Sequence, residues 1–165
     1  MTILELLIQE FEQEAATTRK MISRVPDTQF AWKPHPKSMD VKTLATHVAE
    51  LPTWIQMAMD TDELDFATAP YNPVAINSTK ELVDYFEKNV EIGRSALTSA
   101  DTAKFNERWL LRTGEDIHVD TTRYGLIRIS LSQIIHHRAQ LGVFLRILDI
   151  PIPGSYGPSA DEMGF

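Results

Sequence analysis

The segment Tyr124–Leu148, YGLIRISLSQIIHHRAQLGVFLRIL, decides how this chain is read. It contains no proline and is apolar on most sides, the mark of a helix that packs centrally or against a second subunit. Steps of three and four place Leu126, Ser130, Gln133, His137, Leu141, Phe144 and Leu148 on one face. Two large polar side chains, Gln133 and His137, therefore fall in the middle of an otherwise apolar row. The run Ile150-Pro151-Ile152-Pro153-Gly154 ends the helix.

Three more helices precede it. Ile3, Leu7, Phe11, Ala15, Thr18 and Ile22 recur at helical spacing, so a first helix runs to about Arg24. Pro26, Pro34 and Pro36 then forbid regular helix, and the stretch from Phe30 to Lys37 reads as an extended tether. A second helix starts near Ser38 or Asp40, either of which can cap it. Its buried side carries Val41, Leu44, His47, Val48, Leu51, Trp54, Ile55 and Ala58, with a kink or break expected at Pro52. Asp60 to Asn77 reads as loop. Ser78-Thr79-Lys80-Glu81 is a capping box that opens a third helix, with Leu82, Phe86, Val90, Gly93 and Leu97 on its inner face. Between Ala100 and Thr122, alternation around Thr113-Gly114-Glu115-Asp116 predicts a short hairpin. The expected fold class is all-α: a four-helix bundle with a short β-hairpin insert before the last helix, one domain over residues 1–165.

Composition narrows the function classes. The chain has 165 residues, 43% of them hydrophobic, and no cysteine, so disulfides, thiolate metal sites and a cysteine nucleophile are excluded. Its formal charge of -7 disfavours non-specific attraction to nucleic acid. Acidic residues soon after Met1 are the wrong pattern for a signal peptide, and no apolar run has the length of a membrane span. A soluble, cytoplasmic protein with neither nucleic acid nor membrane as partner is expected.

The buried polar residues carry the chemistry. A buried imidazole or amide costs about 1–3 kcal/mol per unmet hydrogen bond, so His47, Gln133 and His137 each need a partner. Two readings of the spacing stay open. They are core groups bonded to one another, to Glu50 or to backbone, or they share a metal, since side chains at i and i+4 point to one side and a facing helix can add a third. Glu50, three residues after His47, is a further ligand, an orienting carboxylate or a general base, or else a solvated helix residue. His136 projects about 100° away from His137 and is the weaker ligand. Arg123, Arg128, Arg138 and Arg146 form a positive strip that either receives an anionic substrate or cofactor or pairs with Glu5, Glu10, Glu12 and Glu14 of the first helix.

Several of these runs resemble one family. Gln133-Ile134-Ile135-His136-His137-Arg138-Ala139-Gln140-Leu141, the Pro-rich tail and Tyr156-Gly157-Pro158-Ser159-Ala160-Asp161-Glu162 resemble the last helix and C-terminus of DinB-like proteins, which are damage-inducible and related to the YfiT-like metal-dependent hydrolases. Trp32-Lys33-Pro34-His35-Pro36-Lys37-Ser38, Leu44 to Pro52 and Trp109-Leu110-Leu111-Arg112 resemble the same pattern in the same order. The resemblance implies a frequently dimeric four-helix bundle holding a divalent ion, nickel or zinc, on three histidines. His47 and His137 match two of those ligands; the third position holds Gln133, a weaker neutral donor.

The activity implied is that of a hydrolase or a transferase working with a low-molecular-weight thiol on a small-molecule substrate. Glu50 or His136 would serve as base, Arg138 would meet an anionic cofactor, and expression would follow stress or DNA damage. The competing expectation is a metal-free binding or stress-response protein that keeps the bundle but not the ion. Apolar Ile127, Leu131, Ile134, Ile135 and Leu145 add the expectation of a homodimer.

Overall fold

A computed structural model describes residues 1–164. Helix α1 (Ile3–Ile22) begins at Thr2, whose hydroxyl accepts the Glu5 amide while the Glu5 carboxylate accepts that of Thr2. After a single 3-10 turn at Asp27–Gln29 the chain enters α2 (Val41–Glu50), capped by Asp40, which accepts the Thr43 amide at 2.7 Å. Pro52 breaks the expected second helix, and α3 (Thr53–Asp60) follows with only a short joint between. Helix α4 (Thr79–Thr98) starts where the capping signal placed it, with Ser78 accepting the Glu81 amide. Helix α5 (Arg123–Ile147) is the longest element, and a short α6 (Ala160–Met163) closes the chain.

Helices α4 and α5 each pack against α1, α2 and α3, and the core lies between them. Phe11, Ile22, Leu44, Ile55, Leu82, Phe86, Leu97, Ile127 and Leu131 are fully buried there. On α5 the buried stripe runs through Ile127, Leu131, Ile134, Arg138, Leu141 and Leu145. Gln133 and His137 lie at its edge, half-buried, and not in its middle as the row of threes and fours suggested. Four of the residues that motivated a dimer, Ile127, Leu131, Ile134 and Leu145, are consumed by the chain's own core.

The fold is mostly helical, but the all-α expectation is corrected by a three-stranded sheet. The hairpin forms as expected from β2 (Arg108–Thr113) and β3 (Asp116–Thr122), joined by Gly114-Glu115. Gly114 has φ 58°, the positive value that the first residue of a two-residue hairpin turn reserves for glycine. The unexpected strand is β1 (Glu63–Asp65), inside the segment read as loop, which pairs parallel to β2. Asp65 holds it: its Oδ1 accepts the amides of Ala67 and Gly114, each at 2.9 Å, and its other oxygen meets Arg112 at 3.0 Å. These amides and the Arg112 guanidinium keep the Asp65 carboxyl below its usual range. Buried Trp109 of β2 ties the sheet to the helices, donating to Thr61 Oγ1 at 3.1 Å.

Candidate functional site

His47 stands in the last turn of α2, and the break at Pro52 turns α3 so that Trp54 meets the His47 ring edge-on, centroids 6.1 Å apart. Across the helix pair, the His137 ring on α5 lies 4.8 Å from that of His47 at 73°. His136 stands 4.8 Å from His137 on the other side and is exposed. Three imidazoles thus form a row that begins on α2 and ends at the surface of α5.

Each of the two inner rings is held at the same atom. Nδ1 of His47 donates to Glu50 Oε1 at 2.6 Å, and Nδ1 of His137 donates to Gln140 Oε1 at 2.9 Å. In the neutral rings this arrangement places the proton on Nδ1 and leaves Nε2 with a lone pair. Among the described residues no group hydrogen-bonds either Nε2. Burial, opposed by the Gln140 hydrogen bond and aided by the neighbouring imidazoles, holds the His137 pKa below the ordinary histidine value. Glu50, nearly buried, also accepts the Tyr71 hydroxyl on Oε2 at 2.9 Å. Burial first, and then that hydrogen bond, pushes the Tyr71 phenol well up.

Gln133 and His136 open with His137 onto a shallow cavity of about 580 Å³ that Arg128 and Ser132 also line. His137 faces a second cavity of about 400 Å³ beside Leu44, Gln140 and Phe144. Among the described residues no three His, Cys, Asp or Glu side chains gather as a metal site. The groups that could hold a divalent ion here are the two imidazole rings, each hydrogen-bonded from behind as ligating histidines usually are, and the Gln133 amide, which lines a cavity with His137.

Arg138 is not brought to this site. Its guanidinium is buried against α1, donating to Glu14 Oε2 at 2.6 Å and Thr18 Oγ1 at 3.0 Å, and to the Tyr156 hydroxyl at 3.1 Å. The rest of the arginine strip is also spent on the fold. Arg128 pairs with Glu10 and Arg146 with Asp161. Arg123 donates to the carbonyls of Ala58, Met59 and Thr61, closing the C-terminus of α3.

Tyr71 and Gln140 are the members that spacing did not single out. Gln140 could have been found, since it lies three residues after His137 on one helix. Tyr71 carried no such signal, because it reaches Glu50 from a segment without periodicity.

The chain matches the model of the DinB family over residues 1–163. No curated protein matches it. Among solved structures, a DinB-like protein from Bacillus subtilis superposes with a TM-score of 0.70 at 14% identity, covering 91% of this chain and 96% of that one. A DinB-like protein from Bacillus cereus gives 0.70 at 20% identity, covering 92% and 97%. A mycothiol-dependent maleylpyruvate isomerase gives 0.56 at 15% identity, with 86% of this chain but 61% of that one covered. At these identities the likeness is one of fold.

Proposed function

Because the chain belongs to the DinB family over residues 1–163, we propose that it is a metal-dependent enzyme, a transferase using a low-molecular-weight thiol or a hydrolase, with His47 and His137 as its principal ligands. The observation that carries this reading is the pair of imidazoles 4.8 Å apart, each tied at Nδ1 and free at Nε2. A core histidine would gain most from satisfying both nitrogens, whereas a ligand needs one of them bare. Zinc or nickel at this place would lower the pKa of a bound thiol or water enough to make a nucleophile at neutral pH.

The chain's own groups have separable duties. Glu50 keeps the proton of His47 on Nδ1. Gln133 offers an amide oxygen as third donor, weaker than imidazole for these ions. His136, exposed at the mouth of the cavity, is the group free to exchange a proton with a small substrate. The thiol is favoured over water by the fold shared with an isomerase that is mycothiol-dependent. The protein works in the cytoplasm, and exposed Val143 and Ile147 on α5 give a second copy apolar surface to meet.

The test is the metal content of tag-free protein prepared without chelator, then titrated with zinc and nickel beside His47→Ala and His137→Ala. About one equivalent per chain, lost in both variants, is expected, followed by thiol-transfer and hydrolysis screens. Folded variants that hold as much metal as the parent would end the proposal. Gln133, standing where the third histidine is expected, supports a second reading: a binding protein that keeps the bundle and uses no ion. Stoichiometric metal in the parent would dispose of it.

A further inference from the structure

Tyr71 belongs to neither helix that carries the histidines. It lies between β1 and α4 in a stretch without regular structure, pinned at one end where the Asp65 carbonyl accepts the Thr68 and Ala69 amides and at the other where Glu81 accepts the Asn77 amide. Among the described residues, segment 70–76 makes a single side-chain hydrogen bond to the rest of the fold, from Tyr71 to Glu50. The tyrosine as a whole is 56% exposed, yet its hydroxyl is turned onto a carboxylate that is only 9% exposed. A surface ring with an inward hydroxyl costs freedom that a solvated tyrosine would keep.

The contact has a direct consequence for Glu50. Its two oxygens are engaged by different partners, Oε1 by the His47 Nδ1–H at 2.6 Å and Oε2 by the Tyr71 O–H at 2.9 Å. A carboxylate held at both oxygens cannot turn without losing one bond, so its orientation, and with it the site of the His47 proton, is fixed from the far side. From this geometry we infer that Tyr71 is a positioning residue: through Glu50 it keeps the His47 proton on Nδ1 and leaves Nε2 bare beside His137. The inference deepens the metal-site reading and borrows the role of His47 from it, but the tautomer it concerns is a property of the metal-free chain.

The experiment uses metal-free, isotope-labelled full-length chain as wild type, Tyr71→Phe and Glu50→Ala. Long-range nitrogen–proton correlation spectra at about pH 8, above the ordinary histidine range, report which nitrogen of His47 carries the proton. The expected result is an Nδ1–H ring in the wild type and a mixture in both variants, with circular dichroism and melting of Tyr71→Phe unchanged. Zinc titration of the same samples should show Tyr71→Phe weaker by about tenfold, the low end for loss of an outer-shell partner. A His47 tautomer in Tyr71→Phe identical to wild type overturns the inference, and so does an unmoved tautomer in Glu50→Ala. A tyrosine that merely fastened the segment would leave that signal untouched. If the wild type takes up no zinc, the metal reading fails, while the tautomer comparison still decides for or against Tyr71.

Discussion

The His47 ring on α2 and the His137 ring on α5 stand 4.8 Å apart at 73°, and each is hydrogen-bonded through Nδ1 to a residue three positions later on its own helix. Histidines packed for stability alone would have no reason to share this arrangement. Glu50 stands behind one ring and Gln140 behind the other, an anionic and a neutral acceptor. Burial holds the pKa of His137 below the ordinary histidine value.

The buried pair of Arg138 and Glu14 makes a prediction about stability. Both side chains are almost entirely inaccessible, at 1% and 5% exposure, so removing one leaves an uncompensated buried charge. Arg138→Met should cost about 3–5 kcal/mol, and Arg138→Met with Glu14→Met should recover most of it. Thermal or urea unfolding of the three proteins checks this. A binding role for Arg138 would instead leave stability nearly unchanged in the single variant.

How far the sequence carried depended on the range of each interaction. Elements with local signals, such as the Ser78 cap of α4, the break at Pro52 and the Gly114 turn, stand where periodicity and turn chemistry put them. Strand β1 did not, because three residues cannot show a period and its parallel partner is β2, far along the chain. The same limit applies at the site. His47 and Glu50 share one helix turn and were visible as a pair. Tyr71 joins them from an aperiodic segment, and no spacing rule reaches it. The arginine strip was visible as charge, but its allocation among Glu10, Glu14 and the end of α3 needed the packing of α5.

Gly93 of α4 tests that packing. A Cβ there would stand 2.6 Å from the Pro52 carbonyl oxygen and 3.0 Å from the Phe11 ring, at the joint between α2 and α3. Alanine gains about 1 kcal/mol of helix propensity over glycine. Overpacking against a backbone oxygen costs about 1–3 kcal/mol, so the steric cost prevails. Gly93→Ala should be destabilised by up to about 2 kcal/mol, seen as a lowered melting temperature. An unchanged or raised one would mean that the joint yields.

The C-terminal tail has its own acid dependence. Two hydrogen bonds from Arg146 and one from the Ile152 amide hold the Asp161 carboxyl down at about 2, against an ordinary 3.8. A depressed carboxyl contributes stability above its unfolded value and loses that contribution as pH falls through its folded one. The tail should therefore loosen as pH drops from 3.8 toward about 2. The Ile152 amide chemical shift should titrate with a midpoint near the lower value, and Asp161→Asn should abolish that titration.

Gln133 offers the sharpest change of function. It lies one turn before His137, half-buried, and lines the same cavity. A histidine there has the i, i+4 spacing that brings two imidazoles to one side of a helix, and it is of nearly the same bulk, so the fold has no reason to object. Imidazole is a better ligand than an amide oxygen for zinc or nickel. Gln133→His should therefore tighten zinc binding by at least about tenfold, equivalent to roughly 1.4 kcal/mol, with little change in melting of the metal-free protein. Adding His137→Ala to that variant should cancel the gain, because the new ring acts only in company with the old one. If Gln133→His binds zinc no better than the parent, the third coordination position does not lie over that turn of α5, and the site works with His47, His137 and solvent or with no ion at all.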